Sequence, residues 1–286
     1  MLRISLLFLA HCYRIAYRLH HRLFLQPGTP LEHATLYVIG SFRIGGAGKT
    51  PFCAWLAQKL VEGSFGKPGQ RVAILCHSKA KDEAEMLRRK LAGAPQVKVF
   101  TTGNRYRTAH ELDRDFDIIL CDDGFEDSRL TGAITIRLDR GASPRKIGDL
   151  VPAGFNRSLE QDHDKPALIL EEQDILFRID SVRNSNGDVC PENPDSSLCG
   201  IGSPERFVED LATRGIRPAQ HIALPDHCAC LEQRLSKLLR QGRTVVITEK
   251  DSARLTPQTL KNPQVYVAYQ ETVVSASAQR AISALF

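Results

Sequence analysis

Lys49 and Thr50 close a glycine-rich run, "VIGSFRIGGAGKTPF". An ammonium and a hydroxyl at the end of such a loop can bind phosphate. Loop N–H groups cradle the anion, Lys49 neutralises the β- and γ-phosphates of ATP, and the Thr50 hydroxyl ligates Mg²⁺. The spelling departs from the general rule G-x-x-x-x-G-K-[ST], because Arg43 stands where the first glycine belongs. Gly45, Gly46 and Gly48 are expected to supply the positive φ values and the close approach instead, with Ala47 between them in the phosphate-wrapping stretch. Arg43 itself reads as either a loop-side phosphate contact or a solvated side chain.

An Mg-nucleotide site also needs carboxylate oxygen at the end of a buried strand. "FDIILCDDGF" offers it: the apolar run buries a strand and Asp122 and Asp123 emerge at its carboxyl end, where α/β proteins place ligands. Asp-Asp-Gly also begins ordinary turns, and it is the combination with the loop upstream that selects the metal reading.

These groups must be positioned by the elements around them. Strand-like runs "TLYVIG", "RVAILC", "VKVF", "FDIILC", "AITIRLD", "ALILE" and "ILFRID" alternate with helical patterns, which predicts parallel strands joined by crossover helices. A helix is expected from about Gly48 to Val61, with Pro51 in its first turn where a missing N–H costs nothing. The polar stretch "RNSNGDVCPENPDSS" reads as a boundary, after which "SPERFVEDLATRG", "LEQRLSKLLRQG", "TVVIT" and "QVYVAY" resume the alternation as a second, smaller α/β unit.

A chain of 286 residues with 42% hydrophobic and 25% charged residues suits one large or two modest globular domains. The formal charge of +5 is mild, and a local basic excess sits at Arg3, Arg14, Arg18 and Arg22, which argues against a nucleic-acid-binding protein. The apolar run Ile4–Ala10 falls far short of the roughly 20 residues a spanning helix needs, and it is a poor secretory signal. As a helix, the segment puts Arg14, Arg18 and Arg22 on one stripe, and this predicts a helix lying in the headgroup region with its arginines toward anionic lipid, the alternative being a basic amphipathic helix packed on the protein's own body. The eight cysteines, with no C-x-x-C pair, read as reduced thiols; Cys228 and Cys230 form a C-x-C.

In series, these motifs resemble the tetraacyldisaccharide 4'-kinases, the lipid A 4'-kinases of Gram-negative bacteria. "GSFRIGGAGKTP" is similar to the family's G-N-x-T-V-G-G-T-G-K-T-P, which also lacks the strict first glycine. "DDGFEDSRL" resembles D-D-G-F-Q-H-R-R-L, "DLVPAGFNRS" resembles L-L-P-A-G-P-L-R-E, and "GIGSPERF", "LPDHC" and "ITEKDSARL" follow in the family's order.

The resemblance implies transfer of the ATP γ-phosphate to the 4'-hydroxyl of a tetraacyldisaccharide 1-phosphate, giving lipid IVA at the cytoplasmic face of the inner membrane. It implies an N-terminal anchoring helix in contact with inner-membrane lipids. Through "KDEAEML" and "LPDHC" it makes Asp82 the candidate general base and His227 its partner, a carboxylate suited to late proton removal from a weakly acidic hydroxyl. Arg105 and Arg157 match family arginines that could contact phosphate. The expected organisation is a membrane-associated helix over residues 1–27, a P-loop kinase domain over 28–182 with an NTPase-like parallel sheet flanked by helices, and a smaller α/β domain over 183–286.

Several positions depart from the pattern. The family's S-R-G-Y-G becomes "CHSKA", and the glutamate after P-L-R becomes Ser158, leaving Glu160 as the nearest replacement carboxylate. Gln-His after D-D-G-F becomes Glu126-Asp127, and the second histidine of D-H-H becomes Cys228. Two rival readings are a P-loop kinase or nucleotide switch acting on another acceptor, and a non-catalytic membrane-associated homologue.

Overall fold

The computed structural model describes residues 2–139, 141, 143–226 and 228–286, with Leu2 and Arg3 described by their backbone alone. The chain forms two compact units, one made of the segment up to Leu176 together with Val274–Phe286, the other of Phe177–Val273.

The first unit begins with helix α1 (Leu2–Phe24) and continues through β1 (Thr35–Gly40), α2 (Lys49–Val61), β2 (Val72–His77), α3 (Lys81–Lys90), β3 (Val97–Thr102), α4 (Arg105–Leu112), β4 (Ile118–Asp122), β5 (Ile134–Leu138) and β6 (Leu168–Leu170). Its sheet has the order β3-β2-β4-β1-β5-β6, with all neighbours parallel. Strands covered on both faces must be apolar throughout, and β1, β2 and β4 are buried along nearly their whole length. Leu36, Val38, Leu75 and Ile119 lie in one core cluster, and α2 buries Phe52, Leu56 and Leu60. β1 lies beside β4 in a register that pairs Ile39 with Asp122. The loop leaving β1 and the acidic pair ending β4 therefore emerge side by side at the carboxyl edge, where parallel sheets bind ligands.

The second unit contains β7 (Ile175–Arg183), β8 (Ser196–Cys199), α5 (Pro204–Thr213), β9 (Gln220–Ala223), α6 (Leu231–Arg240), β10 (Val245–Thr248), α7 (Glu249–Ser252), α8 (Pro257–Leu260) and β11 (Val265–Val274). Its strand order is β7-β11-β10-β8-β9, with β8 parallel to β9 and β10, and β10 parallel to β11. The final helix α9 (Ala276–Ser283) returns to the first unit.

Two features of this organisation differ from the expected boundaries. The strand "ILFRID", placed in a 28–182 domain, is β7 of the second sheet. The C-terminal residues, placed in a 183–286 domain, belong to the first unit because apolar side chains hold them there: Phe286 stacks on Tyr37 with ring centroids 4.3 Å apart, and Ile282 is fully buried.

Helix α1 differs from the expectation at Arg14. Its side chain, 15% exposed, turns onto the body of the protein and binds Asp162 at 3.1 Å, while Arg18 binds the same carboxylate and stays exposed; the Asp162 side chain is only 5% exposed. A carboxylate this buried needs charged partners, and two guanidinium groups satisfy it. The outward surface of α1 is mixed: Ile4, Phe8, Ile15, Leu19 and Leu23 are all more than half exposed, and Arg18 and Arg22 are exposed beside them. Among the described residues no helix is long and apolar enough to cross a membrane.

The cysteines correct a further expectation. Cys228 and Cys230 are joined by a disulfide across a Cα–Cα distance of 5.3 Å, a span within the normal range for such a bond, while six others are free.

Candidate active site

Gly45, Gly46 and Gly48 all adopt positive φ, 70°, 68° and 80° respectively. Their missing Cβ atoms admit these left-handed residues between β1 and α2, a backbone of the kind that can present successive amides to an anion. Gly48 caps α2 in the left-handed region and no side chain caps the helix, so the N–H groups and positive dipole end of α2 are left to an anion. Ala47 is buried within the loop. Arg43 stands outside the phosphate-wrapping turn: its backbone bridges to Asn156, and its guanidinium lies 5.8 Å from the Phe155 ring centroid.

Gly40, the last residue of β1, has a separate reason to be glycine. A Cβ there would sit 2.1 Å from Cβ of Phe125, so the phenyl group after Asp-Asp-Gly can cover the strand end only over a bare backbone.

Charge and oxygen chemistry converge where β1 and β4 end. The Thr50 hydroxyl donates to Asp122 Oδ2 at 2.7 Å, and Lys49 Nζ lies 3.3 Å from Asp123 Oδ1. Arg157 donates to Asp123 Oδ2 at 2.9 Å, and Arg105 donates to the Asp122 carbonyl at 3.0 Å. Asp123 is the one non-glycine residue with positive φ among those described, at 59°, a strained conformation of the kind that collects at functional sites. Burial pushes the Asp122 carboxyl up to about 7, with the charge of Glu83 adding to it. Burial would raise Asp123 too, but Lys49 and Arg157 hold it below the usual carboxylate range.

The pair Thr50–Asp122 suits Mg²⁺. Both groups are hard oxygen donors, both are buried, and Asp122 Oδ1 is a buried atom with no hydrogen-bond partner among the described residues. Mg²⁺ bound to a nucleotide takes one or two protein oxygens, the rest being phosphate and water, so no cluster of three ligating side chains is required. None occurs among the described residues.

Asp82 is 8% exposed and lies in the first turn of α3, which follows β2, the neighbour of β4. It thus belongs to the same carboxyl edge as the loop. His227 lies outside the described residues. The fold brings Lys49, Thr50, Asp122, Asp123, Arg105 and Arg157 into one connected group.

Glu160 does not occupy the place vacated at Ser158. It lies 3.3 Å from Arg137 and 3.6 Å from Arg145, which hold its carboxylate elsewhere. Ser158 is buried and bonds Glu126 Oε1 at 3.2 Å and His163 Nε2 at 2.8 Å. The His163 ring stacks on Phe125 at 4.5 Å, and Tyr17 of α1 reaches it with its hydroxyl at 3.3 Å. Burial, with His21 nearby, pushes His163 down to about 4, so the ring is neutral at pH 7. No motif in the sequence announces His163; it is found only because the fold brings it against Ser158.

Known proteins resemble this chain in sequence and in fold. Tetraacyldisaccharide 4'-kinase of Chlamydia abortus is 29% identical over 266 residues, covering 78% of this chain and 72% of the relative. That of Chlamydia trachomatis is 28% identical over 285 residues, covering 83% and 76%. The crystal structure of LpxK from Aquifex aeolicus in complex with ATP superimposes with a TM-score of 0.69 at 20% identity, covering the whole of both chains, and so shares the fold. With its match to the family described as LpxK, tetraacyldisaccharide-1-P 4'-kinase, running over residues 2–286, the chain belongs to that family.

Proposed function

We propose that this protein transfers the γ-phosphoryl group of Mg-ATP to the 4'-hydroxyl of a tetraacyldisaccharide 1-phosphate, forming lipid IVA at the cytoplasmic face of the inner membrane. The observation that carries the reading is the connected set Thr50–Asp122 and Lys49–Asp123–Arg157 at the mouth of a glycine loop in a chain of this family.

In this reading the loop amides and the α2 N-terminus hold the phosphates, while Lys49 and the guanidinium groups of Arg105 and Arg157 offset negative charge on the transferring group. Phosphoryl transfer asks little covalent chemistry of the protein, so positioning and charge are its main contributions. Thr50 and Asp122 would hold the magnesium ion, which when bound neutralises charge on the β- and γ-phosphates. Asp82 takes the acceptor proton late in transfer, and His227 assists in activating that hydroxyl. The exposed apolar side of α1 seats the protein on inner-membrane lipid, where its acylated substrate resides, while Arg14 and Arg18 tie that helix to Asp162.

The test is incubation of purified protein with Mg-ATP and tetraacyldisaccharide 1-phosphate, with product analysed by mass. A product heavier by one phosphate supports the reading. ATP hydrolysis that ignores the disaccharide would favour a nucleotide switch instead.

A further inference from the structure

His163 takes no part in the reaction proposed for this site, yet it stands between helix α1 and the phosphate-binding groups. Its ring packs on Phe125, with centroids 4.5 Å apart, and near Phe42 at 5.6 Å. Both phenyl groups belong to the segments that carry the site, Phe42 between β1 and the loop glycines and Phe125 just after Asp123 and Gly124. Packing thus sets the imidazole plane, and its Nε2 meets Ser158 Oγ at 2.8 Å and the Tyr17 hydroxyl of α1 at 3.3 Å.

The directions of these hydrogen bonds follow from the acid beside them. The Ser158 hydroxyl donates to Glu126 Oε1 at 3.2 Å, which leaves the Ser158 oxygen to accept from His163. Nε2 must then carry the proton of the neutral ring, and the Tyr17 oxygen shares it. Burial and the charge of Glu126 raise the phenols of Tyr17 and of Tyr13, one turn earlier on α1, so neutral hydroxyls meet this group.

Glu126 reaches the other way. Its Oε2 lies 3.9 Å from Arg157 Nη1, which donates to Asp123 Oδ2 at 2.9 Å, and Asp123 pairs with Lys49 at 3.3 Å. A continuous line of contacts therefore runs from α1 to the lysine that opens α2. An arginine side chain has many rotamers, and a second carboxylate selects among them.

We propose that His163 and Tyr17 are positioning residues of the phosphate site. Docked α1 keeps the His163 ring on Ser158, Ser158 fixes Glu126, and Glu126 holds Arg157 in line with Asp123 and Lys49. Helix α1 is then part of the catalytic unit itself. The inference rests on the kinase reading for its reaction, and its structural content is also tested without it.

The experiment uses full-length wild type, H163Q, H163L, Y17F, R157Q and the double variants H163L/R157Q and Y17F/R157Q in mixed detergent micelles, where membrane attachment does not limit the rate. Glutamine offers an amide N–H near the place of Nε2, and leucine fills space without a donor. H163L should lower kcat about tenfold while Mg-ATP affinity, by calorimetry, stays within about threefold. H163Q should recover to within about threefold of wild type, and Y17F should lose about threefold in kcat. In the R157Q background each loss should shrink to less than about twofold, because the effect passes through that guanidinium.

A merely structural histidine would make H163L and H163Q alike, and its loss would add in full to that of R157Q. Either result, or a Y17F enzyme at the wild-type rate, overturns the proposal. If H163L does not fold, Y17F, which removes one oxygen, decides through the same double-variant comparison. If wild type transfers no phosphate, the kinase reading fails, and nitrogen NMR of the Arg157 guanidinium, assigned by its loss in R157Q, decides instead. Slow rotation in wild type and H163Q but faster rotation in H163L supports the proposal, and equal rotation in all of them overturns it.

Discussion

The Thr50 hydroxyl donates a 2.7 Å hydrogen bond to Asp122 Oδ2, joining the first turn of α2 to the residue that ends β4. The other Asp122 oxygen is buried without a hydrogen-bond partner among the described residues, and burial holds that carboxyl up near 7. A hard cation would satisfy both oxygens and favour the ionised form. Chelation of divalent metal should therefore abolish transfer. Thr50→Ala should raise the Mg²⁺ concentration for half-maximal activity about 10- to 100-fold. A magnesium titration of the rate checks this, and an unchanged midpoint would mean that the ion is held elsewhere.

Lys49 is 10% exposed and reaches Asp123 from the first residue of α2. Its charge acts on the transferring phosphoryl group, so Lys49→Ala should lower kcat by about 100- to 1000-fold. Circular dichroism on the same preparation separates this loss from unfolding. A near-normal rate would show that the loop has been misread.

Asp82→Asn should lower kcat far more than it weakens Mg-ATP binding, because a base acts on the acceptor and not on the nucleotide. Steady-state kinetics beside ATP calorimetry separates the two effects. Equal losses in both would assign Asp82 to the nucleotide or its metal.

The attachment of α1 should depend on acid. Burial alone would raise the Asp162 carboxyl, but Arg14 and Arg18 hold it below its ordinary value of about 3.9. A pKa lower in the folded state contributes stability above the unfolded value, and that stability is lost as pH falls through the folded one. Hydrogen exchange at α1 amides should accelerate below about pH 4, and Asp162→Asn should produce the same acceleration at neutral pH. Protection unchanged by Asp162→Asn would mean that the arginine clasp does not hold the helix.

Gly40→Ala would set a methyl group 2.1 Å from Phe125 Cβ, an overlap that must displace the turn carrying Asp122 and Asp123. Thermal unfolding should show a loss of about 1–3 kcal/mol, the ordinary cost of overpacking. The rate should fall with it, and a variant as stable and active as wild type would show that the Phe125 contact carries no strain.

Much of this site is legible in the sequence because it is local. The glycine loop announces its φ values through composition, and the apolar run before Asp122 announces a buried strand whose end must lie at the sheet's carboxyl edge. What the sequence hides is set by tertiary neighbours. The Arg14–Arg18 stripe gives no sign of its anchor, because Asp162 stands far along the chain. Ser158 looks like a lost carboxylate, with Glu160 the near neighbour to replace it, because sequence distance says nothing of the contact with Glu126. Phe286 gives no sign that it must stack on Tyr37 and draw the C-terminal helix back to the first unit.

Position-resolved phosphorylation tests the central claim most directly. Wild-type protein, Mg-ATP labelled in the γ-phosphate and tetraacyldisaccharide 1-phosphate are incubated, and the product is examined by mass spectrometry and phosphorus NMR. The account predicts one labelled phosphate gained, on the 4'-oxygen, in a reaction lost with Lys49→Ala. Protein that binds Mg-ATP yet leaves the disaccharide unphosphorylated would contradict it.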